Sequence, residues 1–266
     1  MSVTPPVALV IAGSDSGGGA GIQADVRALA AHGVFATTAI TALTAQNTVG
    51  VHGVHVVPAE IVAAQIEAVL ADFDVRATKT GMLATAEIIE LVARYAAGGR
   101  LPALVVDPVM VSAAGDRLLE VEAEEAYRRL LFPHAAVVTP NLREASVLVG
   151  RTLQSVADMG EAARELAAST GAGAVVVKGG HLDADVAVDV VWDGQGLHEL
   201  GGPRTATTNN HGTGCSLASA IAAGLALGGE LLPAVCAAKA YVRRGLEASA
   251  GWRLGQGHGP IDHFAV

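Results

Sequence analysis

The segment 211–215 reads His-Gly-Thr-Gly-Cys and runs directly into a small-residue apolar stretch. The backbone N–H groups of Gly212, Thr213 and Gly214 can crowd around an anion, and a helix predicted over Thr213–Leu227 adds the positive end of its dipole. Cys215 would lie in the same field, so we expect its pKa to be lowered and its thiolate to form near neutral pH. An anion cradle beside a base suits phosphoryl transfer. A tight helix entry with a structural cysteine is the alternative.

Polar residues also follow four short apolar runs that the sequence predicts to be buried strands. These residues are Lys79, Asp107, Asn141 and Lys178, each with Gly, Pro or Thr close by. Ligands of open α/β sheets bind beyond the carboxyl ends of the strands. We therefore expect these side chains to converge on one crevice.

Two carboxylates, Asp107 and Glu144, are candidates for holding magnesium directly or through water, because Mg²⁺ usually takes one or two carboxylates plus phosphate oxygens. Glu144 has an alternative role as a first-turn helix acid after Pro140-Asn141. Lys178 either extends to the surface or reaches a nucleotide phosphate. Lys239 either belongs to a solvated helix face or borders a nucleotide site.

A second glycine-rich segment, Gly13–Gly21, follows the first predicted strand and could be a flexible lid or let the backbone approach a ligand. Asp25, four residues later, either complements a helix dipole or pairs with an aminopyrimidine edge. Gln46 has both a donor and an acceptor and could complete such recognition.

The common nucleotide-binding signatures are missing. The sequence has no Gly-Lys dipeptide and therefore no P-loop. Gly19–Ala24 fits a loose G-x-G-x-x-A pattern, but no acidic residue lies about 20 positions further on to hold a ribose. A dinucleotide-binding fold is accordingly disfavoured.

Short apolar runs that alternate with helix-length segments predict one α/β domain over residues 1–266, with a mainly parallel sheet. The predicted strands are Val7–Ala12, Val34–Thr44, Gly50–Val57, Val75–Lys79, Ala103–Asp107, Ala136–Thr139 and Ala174–Lys178, with an edge hairpin of Val186–Asp193 and Leu197–Leu200. The predicted helices are Ala59–Phe73, Glu122–Leu131, Ser155–Ala168, Thr213–Leu227 and Pro233–Ala248.

Composition narrows the class of protein. A formal charge of −9 argues against nucleic-acid binding, which needs a basic face. No apolar run approaches the roughly 20 residues of a membrane helix, and the first residues lack the basic start of a signal peptide. The chain has 2 cysteines, which make no disulfide framework and fit a reducing cytoplasm.

Taken together, these motifs resemble the hydroxymethylpyrimidine/phosphomethylpyrimidine kinases of thiamine biosynthesis, a branch of the ribokinase superfamily. The resemblance runs along most of the chain. It implies a ribokinase-like three-layer sandwich with a mainly parallel central sheet flanked by helices, a homodimer, and use of ATP and Mg²⁺. The implied reaction is phosphorylation of 4-amino-5-hydroxymethyl-2-methylpyrimidine and then of its monophosphate. The matching segments are 12–25, 41–48, 79–83, 107–111 and 211–215.

The resemblance also implies roles for individual residues. Cys215 stands where most ribokinase relatives carry an aspartate base, and the backbone around Gly212, Thr213 and Gly214 would stabilise the transferring phosphoryl group. The residues implied at the pyrimidine are Asp25, Gln46, Gly13, Ala20, Met82 and Val109. The residues implied on the ATP and magnesium side are Asp107, Glu144, Lys178, Lys239 and Thr213.

The chain departs from the family pattern beside the site, with Thr208 where a Lys is usual, Asn210 where a Thr is usual and Arg143 where a Pro is usual. Two other functions are compatible with the motifs. One is a pyridoxal kinase, whose substrate is also a flat ring with a hydroxymethyl group. The other is a pyrimidine-binding sensor that has lost turnover.

Overall fold

Hydrophobic strands buried on both faces form the middle layer of the computed structural model, which describes residues 4–110, 121–180 and 186–265. The described strands are β1 Val7–Asp15, β2 Phe35–Asn47, β3 Gly50–Val56, β4 Val75–Thr80, β5 Val105–Val106, β6 Val137–Val138, β7 Val175–Val177, β8 Val186–Trp192 and β9 Leu197–Pro203. The described α-helices are α1 Gly21–Ala31, α2 Ala59–Asp72, α3 Ala86–Ala97, α4 Val121–Ala126, α5 Leu142–Val149, α6 Val156–Thr170, α7 Thr213–Ala226 and α8 Leu231–Ser249.

The nine described strands form one sheet in the order β3-β2-β1-β4-β5-β6-β7-β8-β9. The pairs from β2 through β1 and β4 to β7 are parallel, while β3, β8 and β9 add antiparallel strands at the two edges. The carboxyl ends of β1, β4, β5, β6 and β7 therefore meet at one edge of the sheet, as predicted.

Alternate side chains of the central strands enter two separate cores. Leu9 and Ile11 of β1 pack with α2, α3, α5 and α6, whereas Val10 packs with α1, α7 and α8. Ala-rich α7 can lie close to the sheet because its buried face carries small side chains such as Ala218 and Ala222. The predicted three-layer α/β sandwich is thus confirmed.

Several predicted boundaries were wrong. The central strands are shorter than the apolar runs, since Ala103 has a φ of 42° ahead of β5 and Pro140 follows β6. The helix predicted over Glu122–Leu131 is α-helical only to Ala126, and a wider turn follows over Tyr127–Leu131. Helix α3 was not predicted, although Thr85 caps it by accepting a hydrogen bond from the Ile88 amide.

The described helices include none that is long and apolar enough to cross a membrane.

The turn after β7 carries a glycine that the packing requires. The Gly179 amide donates to Asp189 Oδ1 at 2.9 Å, and a Cβ on Gly179 would lie 1.8 Å from the Val188 carbonyl oxygen. A Cβ on the neighbouring Gly180 would meet nothing within 4 Å beyond the adjoining chain, so Gly180 offers a matched control.

We expect Gly179→Ala to lower the free energy of unfolding by about 2 kcal/mol or more, because backbone must move to admit the methyl group. Gly180→Ala should change it by less than about 0.5 kcal/mol. Urea denaturation of both variants measures the difference. Equal stabilities would contradict the close packing at Gly179.

Candidate active site

A cavity of about 860 Å³ lies along the carboxyl ends of the parallel strands and is also walled by the β2–β3 hairpin, the β8–β9 hairpin, α7 and α8. The candidate site residues predicted from the sequence come from distant parts of the chain, and all of them except Asp25 line this cavity. Those that do are Gly13, Ala20, Gln46, Met82, Val109, Asp107, Glu144, Lys178, Gly212, Thr213, Gly214, Cys215 and Lys239.

The glycine-rich turn of Gly212, Thr213 and Gly214 at the start of α7, called the anion turn below, forms part of the cavity wall. Gly212 has a φ of 82°, and a Cβ there would lie 1.8 Å from the Gly19 carbonyl oxygen, so both the conformation and the space require glycine. Helix α7 starts at the next residue, Thr213. Its first backbone N–H groups and its dipole make this end of the cavity suited to an anion.

A lysine–carboxylate pair lies directly beside that turn. Lys178 Nζ is 2.7 Å from Asp107 Oδ1, which also accepts from the Thr139 hydroxyl at 3.3 Å. A Cβ on Gly214 would be 3.2 Å from Lys178 Nζ and 3.6 Å from Asp107 Oδ2. Burial alone would lower the pKa of Lys178, but Asp107 and Glu144 raise it, so the ammonium stays charged next to the anion turn.

Glu144 caps the helix to which it belongs. Asn141 and Glu144 form a capping box at the start of α5, and Glu144 also accepts from the Met110 amide at 3.2 Å. Burial raises the pKa of Glu144, with Lys178 opposing. The alternative of a first-turn helix acid is confirmed, while the role of Glu144 toward magnesium stays a prediction.

The pKa predicted for Cys215 was wrong in direction. Burial raises the pKa of this thiol to about 11, since the positive charge of Lys79 lowers it by less than desolvation raises it, and Asp25 and Asp107 raise it further. Sequence analysis considered the helix dipole alone. The charges near the thiol come from helix α1 and from the carboxyl ends of β4 and β5, and their positions could not be predicted from the sequence.

Asp25 is not a wall residue, and its predicted direct contact with an aminopyrimidine is not what the geometry shows. The side chain is fully buried, with both oxygens 2.8 Å from Lys79 Nζ and one of them accepting from the Ser219 hydroxyl at 2.7 Å. Burial alone would lower the pKa of Lys79, but Asp25 holds it above its usual value. Asp25 therefore neutralises Lys79, which does reach the cavity.

Lys239 reaches the cavity from α8 and is not part of a solvated face. Its Nζ donates to Asp189 Oδ2 at 2.7 Å and to the Ala187 carbonyl at 3.2 Å. A role for Lys239 beside a nucleotide stays a prediction. Asp189 was not singled out in the sequence, because nothing in the hairpin pattern shows which way it faces.

A network that was not predicted from the sequence lies on the cavity wall directly beside the anion turn. Asp15, at the end of β1, accepts from the amides of Gly17, Gly19 and Ala20 at 2.8, 3.1 and 2.8 Å. Its Oδ2 also lies 2.9 Å from His211 Nε2. Burial would raise the pKa of Asp15, but His211 and the backbone amides lower it overall.

The predicted lid is therefore a hydrogen-bonded turn organised by one carboxylate. His211 continues the network, since Gln46 Nε2 lies 3.3 Å from His211 Nε2. The sequence offered one signal for it, an aspartate inside a glycine-rich segment directly after a strand. That signal gave no partner, because His211 lies 196 positions away from Asp15.

No group of three or more His, Cys, Asp or Glu side chains suited to a metal ion occurs among the residues that the structure describes. Asp107 lies beside the anion turn, and Glu144 is close enough to Asp107 for the two charges to interact. Two carboxylates fit a Mg²⁺ ion that takes its remaining ligands from water and phosphate.

Comparisons with known proteins identify the family. The family described as phosphomethylpyrimidine kinase matches residues 15–262. A hydroxymethylpyrimidine/phosphomethylpyrimidine kinase of Rhizobium meliloti is 51% identical over 264 residues, covering 97% of each chain.

Solved structures give the same fold. The phosphomethylpyrimidine kinase of Clostridium difficile has a TM-score of 0.80 at 40% identity, covering 91% of this chain and 99% of that one. The pyridoxal kinase of Staphylococcus aureus in complex with AMP-PCP and pyridoxal has a TM-score of 0.90 at 36% identity, covering 99% and 95%. The family match over most of the chain, together with these relatives, shows that this protein belongs to the phosphomethylpyrimidine kinase family.

Proposed function

We propose that this protein, acting as one domain, transfers the γ-phosphoryl group of ATP to 4-amino-5-hydroxymethyl-2-methylpyrimidine and then phosphorylates the monophosphate. The observation that carries the proposal is the junction of the anion turn with the Asp107–Lys178 pair, 2.7 Å apart, at one end of a cavity large enough for both substrates. Family membership gives the reaction class, and we assign the phosphates to the anion turn and the ring to the neighbourhood of Gln46.

The anion turn acts on the phosphates. Backbone N–H groups from Gly212 to Cys215 point to the position where charge spreads over the transferring phosphoryl group, and Lys178 adds a fixed positive charge. Mg²⁺, when bound, neutralises phosphate charge, and Asp107 and Glu144 would hold it directly or through water. In-line attack by the hydroxymethyl oxygen then needs the ring to be fixed beside the anion turn, where Gln46 and Met82 lie on the cavity wall.

Cys215 orients the attacking hydroxyl more than it removes its proton. A thiol with a pKa of about 11 is protonated near neutral pH in the ligand-free protein. A loose phosphoryl-transfer transition state places little demand on a base, because the hydroxyl proton is lost late. We therefore assign Cys215 a positioning role, in place of the role as a base that the family resemblance implies.

Pyridoxal phosphorylation is the second candidate function. It is favoured by the fold match to a kinase that was solved with pyridoxal in place. Gln46 favours the aminopyrimidine, because its amide offers a donor and an acceptor to a ring edge that presents the same two groups.

Product analysis tests the choice of substrate. With ATP and Mg²⁺ present, we expect the pyrimidine alcohol to be converted to its monophosphate and then its diphosphate, with pyridoxal phosphorylated more slowly. Mass spectrometry of the products, with ADP release measured in parallel, distinguishes the two steps. Faster pyridoxal phosphorylation would reverse the assignment, and pyrimidine binding without ADP release would make the protein a sensor.

The thiol can be tested by its reactivity. In a Cys236→Ser background, which removes the exposed second thiol, we expect alkylation of Cys215 by iodoacetamide to rise about tenfold per pH unit from pH 7 to 10, since the thiolate fraction rises that way below a pKa of about 11.

The double variant with Cys215→Ser is the matched control and should show no labelling. A plateau in the alkylation rate below pH 8 would show a lowered pKa and restore the thiolate base. We also expect Cys215→Ser to retain turnover, with a pH dependence of kcat like that of the parent protein.

We further propose a cytoplasmic homodimer. Both cysteines are free thiols, as a reducing compartment allows. Val49 and Val56, which flank and end edge strand β3 outside the cavity lining, are 61% and 38% exposed, and an apolar edge strand of this kind favours association with a second copy.

We expect sedimentation equilibrium to give a dimer near 10 μM and Val56→Glu to shift the population to monomer, because it places a charge in the apolar face of the edge strand. Glu60→Gln on α2, an exposed residue outside that face, serves as the control. A monomeric parent protein at this concentration would rule the dimer out.

A further inference from the structure

We propose that Asp15, His211 and Thr44 are positioning residues that hold the side-chain amide of Gln46 in one of its two orientations, with Oε1 toward His211 and Nε2 toward Thr44. This orientation sets the order of acceptor and donor that the cavity presents to a ring. This inference rests on the proposed function only in naming the ring. The arrangement of protons stands on the contacts themselves. His211 and Thr44 both lie on the cavity wall next to Gln46.

The proton on His211 can be assigned from its partner. Asp15 Oδ2 lies 2.9 Å from His211 Nε2, and an ionised carboxylate only accepts hydrogen bonds. The other contacts of Asp15 are backbone amides, which also donate to it. His211 Nε2 must therefore carry a proton, in the neutral ring as well as in the charged one.

That assignment decides how the Gln46 side chain faces His211. Gln46 Nε2 lies 3.3 Å from His211 Nε2, which sets two N–H donors against each other. Turning the amide by 180° about its last bond keeps its shape and replaces the nitrogen with the oxygen. Gln46 Oε1 then accepts from the His211 Nε2–H, which it shares with Asp15.

The opposite end of the amide leads independently to the same orientation. Thr44 Oγ1 donates its one proton to the Ser14 carbonyl at 2.9 Å. It therefore cannot also donate to Gln46 Oε1, which lies 3.2 Å away. After the same 180° turn, Gln46 Nε2 donates to the free lone pair of Thr44 Oγ1, so every donor meets an acceptor.

The backbone of Gln46 is fixed as well. Ser16 Oγ donates to the backbone carbonyl of Gln46 at 2.7 Å and accepts from the backbone N–H of Gln46 at 2.8 Å. With the main chain and both ends of the side chain held, the amide retains one N–H and one lone pair on Oε1 for a ligand. A ring edge with its amine on the His211 side and its ring nitrogen on the Thr44 side satisfies both.

The first test needs no turnover. In protein labelled with ¹⁵N-histidine, with the signal assigned by its loss in His211→Gln, we expect the His211 ring to show a protonated Nε2 throughout pH 6–9. An Nε2 without its proton at neutral pH would overturn the proposal, whatever the protein phosphorylates. A protonated Nε2 in a protein that does not phosphorylate the pyrimidine would leave the proton assignment intact and remove only the named ring.

The second test separates ring recognition from the phosphate end. We expect His211→Leu and Thr44→Val each to raise the KM for the pyrimidine alcohol about tenfold, with the KM for ATP changed less than about twofold. His211→Gln, which can still place an N–H near the same point, should recover most of the loss. In a Gln46→Ala background, His211→Leu should have little further effect on the pyrimidine KM.

His198→Leu is the matched control, because His198 makes the same type of contact, 2.7 Å from Asp193 Oδ2, and is not on the cavity wall. It should leave both KM values unchanged. Equal changes in the KM for ATP and pyrimidine in His211→Leu would show a general loss of structure around the anion turn. Additive effects of the Gln46 and His211 changes would likewise overturn the proposal.

Discussion

The carboxylate of Asp15 joins the anion turn to the glycine-rich loop that follows β1, and the arrangement of the cavity wall depends on this contact. It gathers the amides of Gly17, Gly19 and Ala20 into one turn and accepts from His211 across 196 positions of sequence. The same turn presents the Gly19 carbonyl to Gly212, with no room for a side chain between them. The start of α7 is thus held against the end of β1. Through His211, this carboxylate also connects the anion turn to the side chain of Gln46.

Buried charge is the second constraint, and the structure meets it by pairing. Lys79 is neutralised by Asp25, and Lys178 by Asp107, each at 2.7–2.8 Å. Removing one partner of such a pair leaves an uncompensated buried charge, which is strongly destabilising. The two pairs differ in position, since only Lys79 of the first pair lines the cavity, whereas both members of the second pair line it beside the anion turn. Their fields, together with burial, also set the high pKa of Cys215.

The sequence predicted those parts of the site that depend on local structure. Lys178 and Asp107 follow apolar runs, and the carboxyl ends of parallel strands share an edge, so their convergence could be anticipated. Ion-pair and hydrogen-bond partners that are distant in the sequence could not be anticipated. Asp25 looked available to a ligand because the pattern does not show Lys79 beside it, and the Cys215 pKa failed for the same reason. Helix α3 was missed although the sequence contains its signals, since Thr85 caps its start, Ile88 and Val92 share a buried face and Gly98 follows its end.

Solved structures with this fold include a pyridoxal kinase and a phosphomethylpyrimidine kinase, and the proposed site suggests how one fold can accept two different rings. The phosphate end is made of backbone N–H groups, a helix dipole and an ion pair, none of which senses the ring. The ring end depends on the polarity of a few side chains around Gln46, which are held from outside by Asp15, Ser16 and Thr44. A change in that small group can alter the preferred ring while the phosphate end stays intact. A close match in fold to a pyridoxal kinase is therefore expected even where the substrates differ.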